Sequence, residues 1–269
     1  MDLSDPAIMG VINITPDSFF SHSRTPSTEA AIARAGQFID EGAKIIDIGA
    51  VSTRPGAKDI SYEQEVKRLA PIIKAIREHF PDVIISIDTS CAKTVDKLSS
   101  LGIDIINDIS GGNADKNMYD AIADNNFPYI LMHMQGTPAD MQINPNYDNV
   151  VHDVIQSIAK RTELLYTKGV NDIIIDPGFG FGKTIDHNYT LLNHLDLFVK
   201  LFKLPLLAGF SRKRMLYNVT GRTPEESLPA TAALHLMALT KGVNILRVHD
   251  VADAFDIVKI FKKLEENNG

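Results

Sequence analysis

Eight short apolar runs, rich in β-branched residues, constrain the fold of this chain more than any other feature. They are Ala7–Ile14, Ile45–Ile48, Val83–Ile87, Ile103–Ile106, Tyr129–Met132, Asp172–Ile175, Leu204–Ala208 and Ile245–Val248. Most of them are continuously apolar and do not alternate with polar residues, which is typical of parallel strands buried on both faces. The runs therefore predict eight strands of a parallel sheet.

Segments with helical spacing lie between these runs. The predicted helices include Glu29–Glu41, Glu63–Phe80, Val150–Lys168, Glu225–Lys241 and Val251–Leu264, and Gly or Pro follows most of them. Strands that alternate with helices along 269 residues predict a single (β/α)8 TIM barrel in class α/β, with its active site at the C-terminal ends of the strands. An open doubly wound sheet is the alternative that the pattern leaves open. With no linker or repeat in the sequence, one domain over residues 1–269 is predicted.

The composition narrows the class of protein. The formal net charge is -7 and no long run of Lys or Arg occurs, so no nucleic-acid partner is expected. The single cysteine, Cys91, has no second cysteine to pair with and fits a reducing compartment. The sequence shows no signal peptide and no apolar stretch of the roughly 18 residues that span a membrane. We therefore expect a cytoplasmic protein without a membrane partner.

Nearly every predicted strand ends in, or is followed by, polar residues. They are Asn13, Asp47, Asp88, Asn107, Asp108, His133, Asp176, Ser211 to Lys213, Arg247 and His249. The carboxyl ends of all strands in such a barrel meet at one rim, where the catalytic groups lie. A single Asp in this position also fits a helix cap. The whole ring of polar residues predicts a functional site.

Two kinds of ligand chemistry can be read from this ring. Arg54, in the segment Ser52–Gly56, together with Arg247 and His249, predicts a pyrophosphate-binding group, with ordinary surface ion pairing as the alternative. Asp88, Asn107 and Asp176 offer two carboxylates and an amide, which suit either a metal ion or the N–H edge of a heterocycle. The spacing of these residues does not decide between the two uses.

A glycine-rich segment, Asp176–Lys183, follows the sixth predicted strand. It lacks the spacing of a Walker phosphate loop. Its glycines allow the backbone to approach a flat ligand closely, and Phe181 is available for apolar contact. The sequence also lacks a Cys/His cluster for zinc and a Gly-x-Ser-x-Gly elbow for serine hydrolysis.

Several of these segments together resemble the signatures of the dihydropteroate synthases, a pterin-binding family. The segments are Met9–Phe19, Ser52–Gly56, Ser86–Thr89, Asn107–Asp108, Met132–Met134, Asp176–Lys183, Ser211–Lys213 and Arg247–Asp250. They fall in the order of the family and span nearly the whole chain. The resemblance implies a transferase of folate biosynthesis that condenses 6-hydroxymethyl-7,8-dihydropterin pyrophosphate with p-aminobenzoate, assisted by Mg²⁺, and that is a target class of sulfonamides. It also implies a homodimer formed through the late helices.

The resemblance implies a role for each matching residue. Asn13 would ligate Mg²⁺ beside the leaving group. The pyrophosphate would be held by Thr53, Arg54, Arg247 and His249. The pterin would be bound by Asp88, Asn107, Asp176 and Lys213, with Met134 and Gly209 lining its pocket. The p-aminobenzoate pocket would be shaped by Pro55, Phe181, Ser211 and Lys213, with the loops Asn13–Arg24 and Ser52–Asp59. The residues implied to be catalytic are Asn13, Arg54, Asp88, Lys213, Arg247 and His249.

The implied reaction is consistent with these residue types. An aryl amine is a weak nucleophile, and the sequence offers no obvious strong base to activate it. Early loss of pyrophosphate, in an SN1-like step, would create a pterin-methylene cation that such an amine can attack. Cationic side chains around the leaving group would stabilise its growing charge.

Three other functions and one departure from the family remain at this stage. The rivals are a pterin-dependent methyltransferase that serves a corrinoid protein, a non-catalytic pterin-binding paralogue and a phosphate-binding isomerase. The methyltransferase needs no pyrophosphate grip, and the isomerase needs a poised base that the sequence does not offer. Where the family commonly reads Asp-Ser-Phe-Ser-Asp-Gly-Gly, this chain reads Asp-Ser-Phe-Phe-Ser-His-Ser from Asp17 to Ser23, which leaves sulfonamide sensitivity open.

Overall fold

The computed structural model describes residues 3–14, 28–51 and 60–267, and within them the strands form a barrel. The strands are β1 (Ala7–Asn13), β2 (Ile45–Gly49), β3 (Ile84–Asp88), β4 (Ile105–Asp108), β5 (Tyr129–Met132), β6 (Ile173–Asp176), β7 (Leu207–Ala208) and β8 (Ile245–Val248). All the pairings between them are parallel, in the order β6-β5-β4-β3-β2-β1-β8-β7. A parallel bridge between Ile175 and Leu206 joins the two ends. The predicted barrel is therefore confirmed, and the open sheet is excluded.

Helices surround the barrel. They are α1 (Thr28–Asp40), α2 (Tyr62–His79), α3 (Ala92–Leu98), α4 (Met118–Asn125), α5 (Val150–Thr167), α6 (Ile185–Asn193), α7 (Leu195–Phe202), α8 (Arg214–Thr220), α9 (Leu228–Thr240) and α10 (Val251–Glu265). The five helices predicted from the sequence are α1, α2, α5, α9 and α10. The others have 7 to 9 residues, which is too short for a clear helical period.

Two elements begin three residues later than the segments predicted for them. The seventh strand was predicted over Leu204–Ala208, but β7 is confined to Leu207–Ala208, because Pro205 has no N–H to donate to a ladder. The helix predicted over Glu225–Lys241 begins as a 3₁₀ turn, Glu225–Ser227, and becomes α-helical at Leu228, with Pro229 in its first turn.

The period of two along each strand separates two apolar cores. Residues that point outward, such as Ile46, Ile85 and Leu246, pack under the helices in one large cluster. Residues that point inward at the start of the strands form a second cluster that fills the N-terminal end of the barrel: Ala7, Met9, Ile45, Ile105, Ile130, Ile174, Leu207 and Ile245. This inner cluster closes one end of the barrel, so a ligand must enter from the other.

Among the described residues, no helix is both long enough and apolar enough to cross a bilayer.

Candidate active site

Two residues beyond the inner apolar cluster along the strands, the barrel interior changes from apolar to polar. Asp47 lies on β2 in this second layer and is fully buried. Its carboxylate accepts hydrogen bonds from Ser86 Oγ at 2.7 Å, Asn107 Nδ2 at 3.1 Å and Arg247 Nε at 2.7 Å. Asp47 therefore joins β3, β4 and β8 inside the barrel and fixes the orientation of Asn107 and Arg247.

Arg247 connects this buried layer to the cavity above it. Its Nη2 donates to Asp88 Oδ2 at 2.9 Å, while its Nε is held by Asp47. Burial raises the pKa of Asp88 to about 7, against the lowering effect of Arg247, and the neighbouring Asp47 adds to the rise. The guanidinium is thus the charge that compensates two close carboxylates.

A second carboxylate with a cationic neighbour lies on the opposite side. Asp176, at the end of β6, accepts the N–H of Gly178 at 2.7 Å, and burial raises its pKa although Lys213 favours the charged form. Lys213 donates to the carbonyl oxygen of Phe179 at 2.7 Å and lies 4.6 Å from the centre of the Phe181 ring. Burial lowers the pKa of Lys213 to about 8, so its ammonium remains mostly charged near neutral pH.

The rim above these residues carries polar groups that are either neutral or already paired with an opposite charge. His249 Nδ1 and Ser211 Oγ lie 3.2 Å apart, and burial, assisted by Arg247, lowers the pKa of His249 to about 4. Asn13 is exposed at the end of β1. Arg212, the neighbour of Lys213, bonds Asp250 with two nitrogens at 2.9 and 2.6 Å. Its charge is therefore already compensated on the β8 side of the rim.

A cavity of about 1000 Å³ opens over this arrangement. The predicted site residues that line it are Asn13, Asp88, Phe181, Ser211, Lys213, Arg247 and His249. Asn107 and Asp176 are buried next to lining residues, the first through Asp47 and the second beside Lys213. The structure thus brings the carboxylates and, apart from Arg54, the cations of the prediction together at one end of the barrel.

The remaining predicted residues fall into two groups. Met134 packs with Met132 and Met141 beside Phe181, and a methyl group on Gly209 would lie 3.6 Å from Arg247 Cβ. Both positions therefore border the site. Thr53, Arg54 and Pro55 lie outside the described residues, as do residues 15–24 and 52–59 of the two predicted loops. Their roles stay predictions.

Several residues at the site were given no individual role from the sequence. Asp47 has a detectable signal, because it follows inward-facing Ile45 by two residues and must share its face. Gln142 and Asn188 hold the glycine-rich loop from both sides, through Gly180 O and Gly180 N at 2.7 Å each. Lys183 and His133 lie behind the same loop. The contacts of Gln142 with Gly180 and of Lys183 with His133 join segments that are far apart in the sequence, so no local spacing predicts them.

Comparison with known proteins agrees with this geometry. The family model described as "Pterin binding enzyme" matches residues 9–249. The chain is 41% identical to a dihydropteroate synthase of Haemophilus influenzae, over 97% of this chain and 95% of that protein. It is 40% identical to a dihydropteroate synthase of Escherichia coli, over 97% and 92% respectively.

Solved structures show the same similarity in three dimensions. A Yersinia pestis dihydropteroate synthase in a sulfonamide complex superposes with a TM-score of 0.93 at 37% identity, covering 99% of this chain and 96% of that one. A Xanthomonas albilineans dihydropteroate synthase with 4-aminobenzoic acid gives 0.90 at 37% identity, covering 98% and 94%. The chain belongs to the pterin-binding enzyme family and, within it, to the dihydropteroate synthases, which are transferases.

Proposed function

We propose that this barrel condenses 6-hydroxymethyl-7,8-dihydropterin pyrophosphate with p-aminobenzoate, giving 7,8-dihydropteroate and pyrophosphate. One observation carries the proposal. A single cavity places the carboxylate of Asp88 directly beside Arg247, with Lys213 and His249 on the same lining. This arrangement offers acceptors for a flat heterocycle and cations for a diphosphate at adjoining positions. Membership of the dihydropteroate synthases supports the same reaction.

The pterin is proposed to lie against Asp88, Asn107 and Asp176. A carboxylate accepts two N–H groups of an aminopyrimidinone edge, and an amide supplies both a donor and an acceptor. The alternative of a metal bound by the same residues is less well supported. Among the described residues, no group of three or more His, Cys, Asp or Glu side chains is arranged to hold an ion. Arg247 and Lys213 already compensate these carboxylates.

The diphosphate is proposed to leave toward Arg247, His249 and Ser211, with Thr53 and Arg54 as further ligands. A permanently charged guanidinium and a neutral imidazole can both donate hydrogen bonds to phosphate oxygens. They stabilise charge that develops on the leaving group, which is where electrostatic catalysis is most effective.

The same groups favour a dissociative reaction. His249 is a weak base because its pKa is lowered to about 4, and Lys213 remains mostly protonated because its pKa is about 8. Neither therefore removes a proton readily from an incoming amine. Loss of pyrophosphate before attack by p-aminobenzoate avoids that requirement, and Asp176, together with Asp88 in its ionised form, stabilises the pterin cation.

Mg²⁺ is proposed to enter with the pyrophosphate. Asn13 presents an amide at the mouth of the barrel, and its oxygen is a suitable hard ligand for Mg²⁺. Mg²⁺ typically keeps several waters and binds through few protein ligands plus substrate phosphates, so one Asn fits this role. When bound, the ion would neutralise part of the charge of the diphosphate.

The p-aminobenzoate pocket is proposed to lie between Phe181, Ser211 and Lys213, with Pro55 as a further wall. Phe181 provides an apolar ring, and the ammonium of Lys213 is 4.6 Å from its centre. The related Xanthomonas albilineans and Yersinia pestis structures hold 4-aminobenzoic acid and a sulfonamide drug, respectively. We extend both kinds of ligand to this site.

The proposed reaction is tested by incubating the purified protein with dihydropterin pyrophosphate, p-aminobenzoate and Mg²⁺. Dihydropteroate and pyrophosphate should form in equal amounts, and absence of both would refute the proposal. Methyl transfer from methyltetrahydrofolate to a corrinoid protein, measured without either of these substrates, tests the methyltransferase alternative.

In the dihydropteroate assay, Arg247→Ala should impair use of the pyrophosphate substrate far more than affinity for p-aminobenzoate. Equal effects on both would contradict the role proposed for Arg247.

A homodimer formed through the late helices is also proposed. Helix α9 carries no Asp, Glu, Lys or Arg along its 13 residues, yet only Thr231, His235, Ala238 and Leu239 are buried among them. On the neighbouring α10, Ile260 and Leu264 are about half exposed. A second copy of the chain would cover these apolar side chains. Analytical ultracentrifugation should show a dimer, and Met237→Glu should shift it toward monomer; a monomeric wild type would refute this arrangement.

A cytoplasmic location is proposed on two grounds. Cys91 is a free thiol, which suits a reducing compartment. The dihydropterin pyrophosphate is a multiply charged metabolite that does not cross a membrane unaided. Fractionation of cells that express the chain should find it with the cytoplasmic proteins.

A further inference from the structure

A buried lysine forms part of the glycine-rich wall of the cavity. Lys183 is only 3% exposed, and its ammonium donates to the carbonyl oxygens of Gly178 at 2.9 Å and Phe181 at 3.0 Å. It also reaches His133, at the carbonyl oxygen (3.2 Å) and at Nδ1 (3.0 Å). Burial lowers the pKa of His133 to about 2, so its ring is neutral and Nδ1 accepts. All four acceptors are thus uncharged.

These acceptors belong to two segments that are pressed together. Gly178 has φ +74°, and a methyl group on it would lie 1.9 Å from the carbonyl oxygen of His133. Gly182 has φ +63°, and a methyl group there would lie 2.3 Å from the carbonyl oxygen of Gln135. Only glycine fits both positions. Carbonyl dipoles that converge in a dry interior repel one another, and the amino group of Lys183 donates to them and offsets this repulsion. Burial lowers the pKa of Lys183 to about 7, although Asp176 favours the charged form, so the ammonium predominates below pH 7.

The segment held in this way presents groups to the site. Phe179 supplies the carbonyl oxygen that Lys213 bonds at 2.7 Å, and Phe181 supplies the ring beside the same ammonium. Asp176 depends less on the segment, because β6 pairs it with Met132 of β5. A disturbance of the loop should therefore reach the Phe181 and Lys213 side before it reaches the carboxylates.

We propose that Lys183 is a positioning residue, whose ammonium holds the loop of residues 177–184 in the conformation that presents Phe181 and the Phe179 carbonyl to Lys213. The inference rests on the proposed function, because it assigns this side of the cavity to p-aminobenzoate. The amino group of Lys183 is held by carbonyl oxygens of this loop and acts through Phe181 and Lys213.

The first test compares Lys183→Met with Lys241→Met in the dihydropteroate assay. Lys241 also donates to a main-chain carbonyl, that of Asn193 at 2.8 Å, but it lies outside the site. Lys183→Met should raise the KM for p-aminobenzoate by about 10- to 100-fold, the usual cost of losing a group that orients a ligand contact. The KM for dihydropterin pyrophosphate should stay close to the wild-type value. The Lys241 variant should match the wild type.

The second test uses Lys183→Ala, which removes the four atoms that n-propylammonium contains. Addition of n-propylammonium should lower the KM for p-aminobenzoate toward the wild-type value, whereas the neutral isostere 1-propanol should not. Rescue by both compounds would mean that the side chain only fills space.

The outcomes separate this inference from the proposed function. A wild type that makes no dihydropteroate overturns both. An active wild type overturns the role of Lys183 alone if Lys183→Met keeps the wild-type KM for p-aminobenzoate. A fall in kcat with both KM values unchanged also overturns it, since that pattern reports a smaller folded fraction. If Lys183→Met does not fold, failure of n-propylammonium to restore the KM of the alanine variant has the same consequence.

Discussion

The two ends of the barrel interior are built from the same strands, two residues apart. At the N-terminal end, β2, β4, β6 and β8 contribute isoleucines to a sealed cluster: Ile45, Ile105, Ile174 and Ile245. One step further along the same faces, they contribute Asp47, Asn107, Asp176 and Arg247. A step of two residues keeps the side chain inside the barrel. The same set of strands therefore carries both a packed apolar core and a polar site, at opposite ends of the barrel.

The two ends also differ in what holds them together. The apolar end is stabilised by burial, at about 1.5–3 kcal/mol for each large aliphatic side chain. At the polar end, the positive charge of Arg247 compensates the carboxyl groups of Asp47 and Asp88, to which it is hydrogen-bonded. A buried ion pair contributes little net stability, while loss of one partner is costly. We therefore expect substitutions at the apolar end to change stability alone, and substitutions that break an ion pair at the polar end to change function as well as stability.

The largest effect is expected for Asp176→Asn, which replaces a charged acceptor at the polar end by a neutral amide. Two charge-assisted hydrogen bonds of about 2 kcal/mol each correspond to an affinity loss of about a thousandfold. Calorimetric titration with a pterin measures this loss. Asp172→Asn, an exposed change just before β6, is the matched control and should bind normally. Unchanged affinity in Asp176→Asn would remove this residue from the site.

A smaller loss of function is expected for Asp47→Asn. The side chain keeps its shape, but the amide no longer compensates the charge of Arg247, and it is a weaker acceptor for the hydrogen bond from Asn107. The kcat/KM for dihydropterin pyrophosphate should fall by about 10- to 100-fold, as is usual when the partner of a ligand-binding group is lost. Asp196→Asn, which affects an exposed pair with Lys200, should show wild-type kinetics. If both variants behave alike, Asp47 does not orient the site.

The pH dependence of stability should also originate at the polar end. His249 has a folded pKa of about 4, below the usual 6.5, so between these values the unfolded chain binds a proton that the folded chain does not. Its contribution to stability is present above pH 6.5 and is lost as the pH falls toward 4.

His249→Gln should therefore reduce the decline in Tm between pH 7 and pH 5, by about 2 °C in a chain of this size. His194→Gln, on the surface at the end of α6, should leave the decline unchanged. A steeper decline in His249→Gln would contradict the sign of this effect. Scanning calorimetry at the two pH values measures it.

The smallest functional effect is expected for Ile130→Val at the apolar end. Loss of one buried methyl group should lower the free energy of unfolding by about 0.5–1.5 kcal/mol, as measured by urea denaturation. Both KM values and kcat should match the wild type. A change in substrate KM would show that the two ends are not independent.

The contrast between the ends also explains how far the sequence could predict the molecule. The number of strands and the barrel follow from apolar runs and long periodic helices, since both are local patterns. Asp88, Arg247 and His249 could be assigned to one site because parallel strands bring their carboxyl ends together. The roles of Lys183 and Gln142 could not be predicted, because each depends on contact between the loops after β5 and β6. Helices of 7 to 9 residues were not predicted, because about two turns are too few to show a clear period.

A crystal structure with bound dihydropterin pyrophosphate and Mg²⁺ tests most directly whether the polar end serves both halves of this substrate. The account predicts the heterocycle against Asp88, Asn107 and Asp176, with the diphosphate directed toward Arg247, His249 and Asn13. A diphosphate buried against the carboxylates, or a substrate bound outside the barrel mouth, would contradict it.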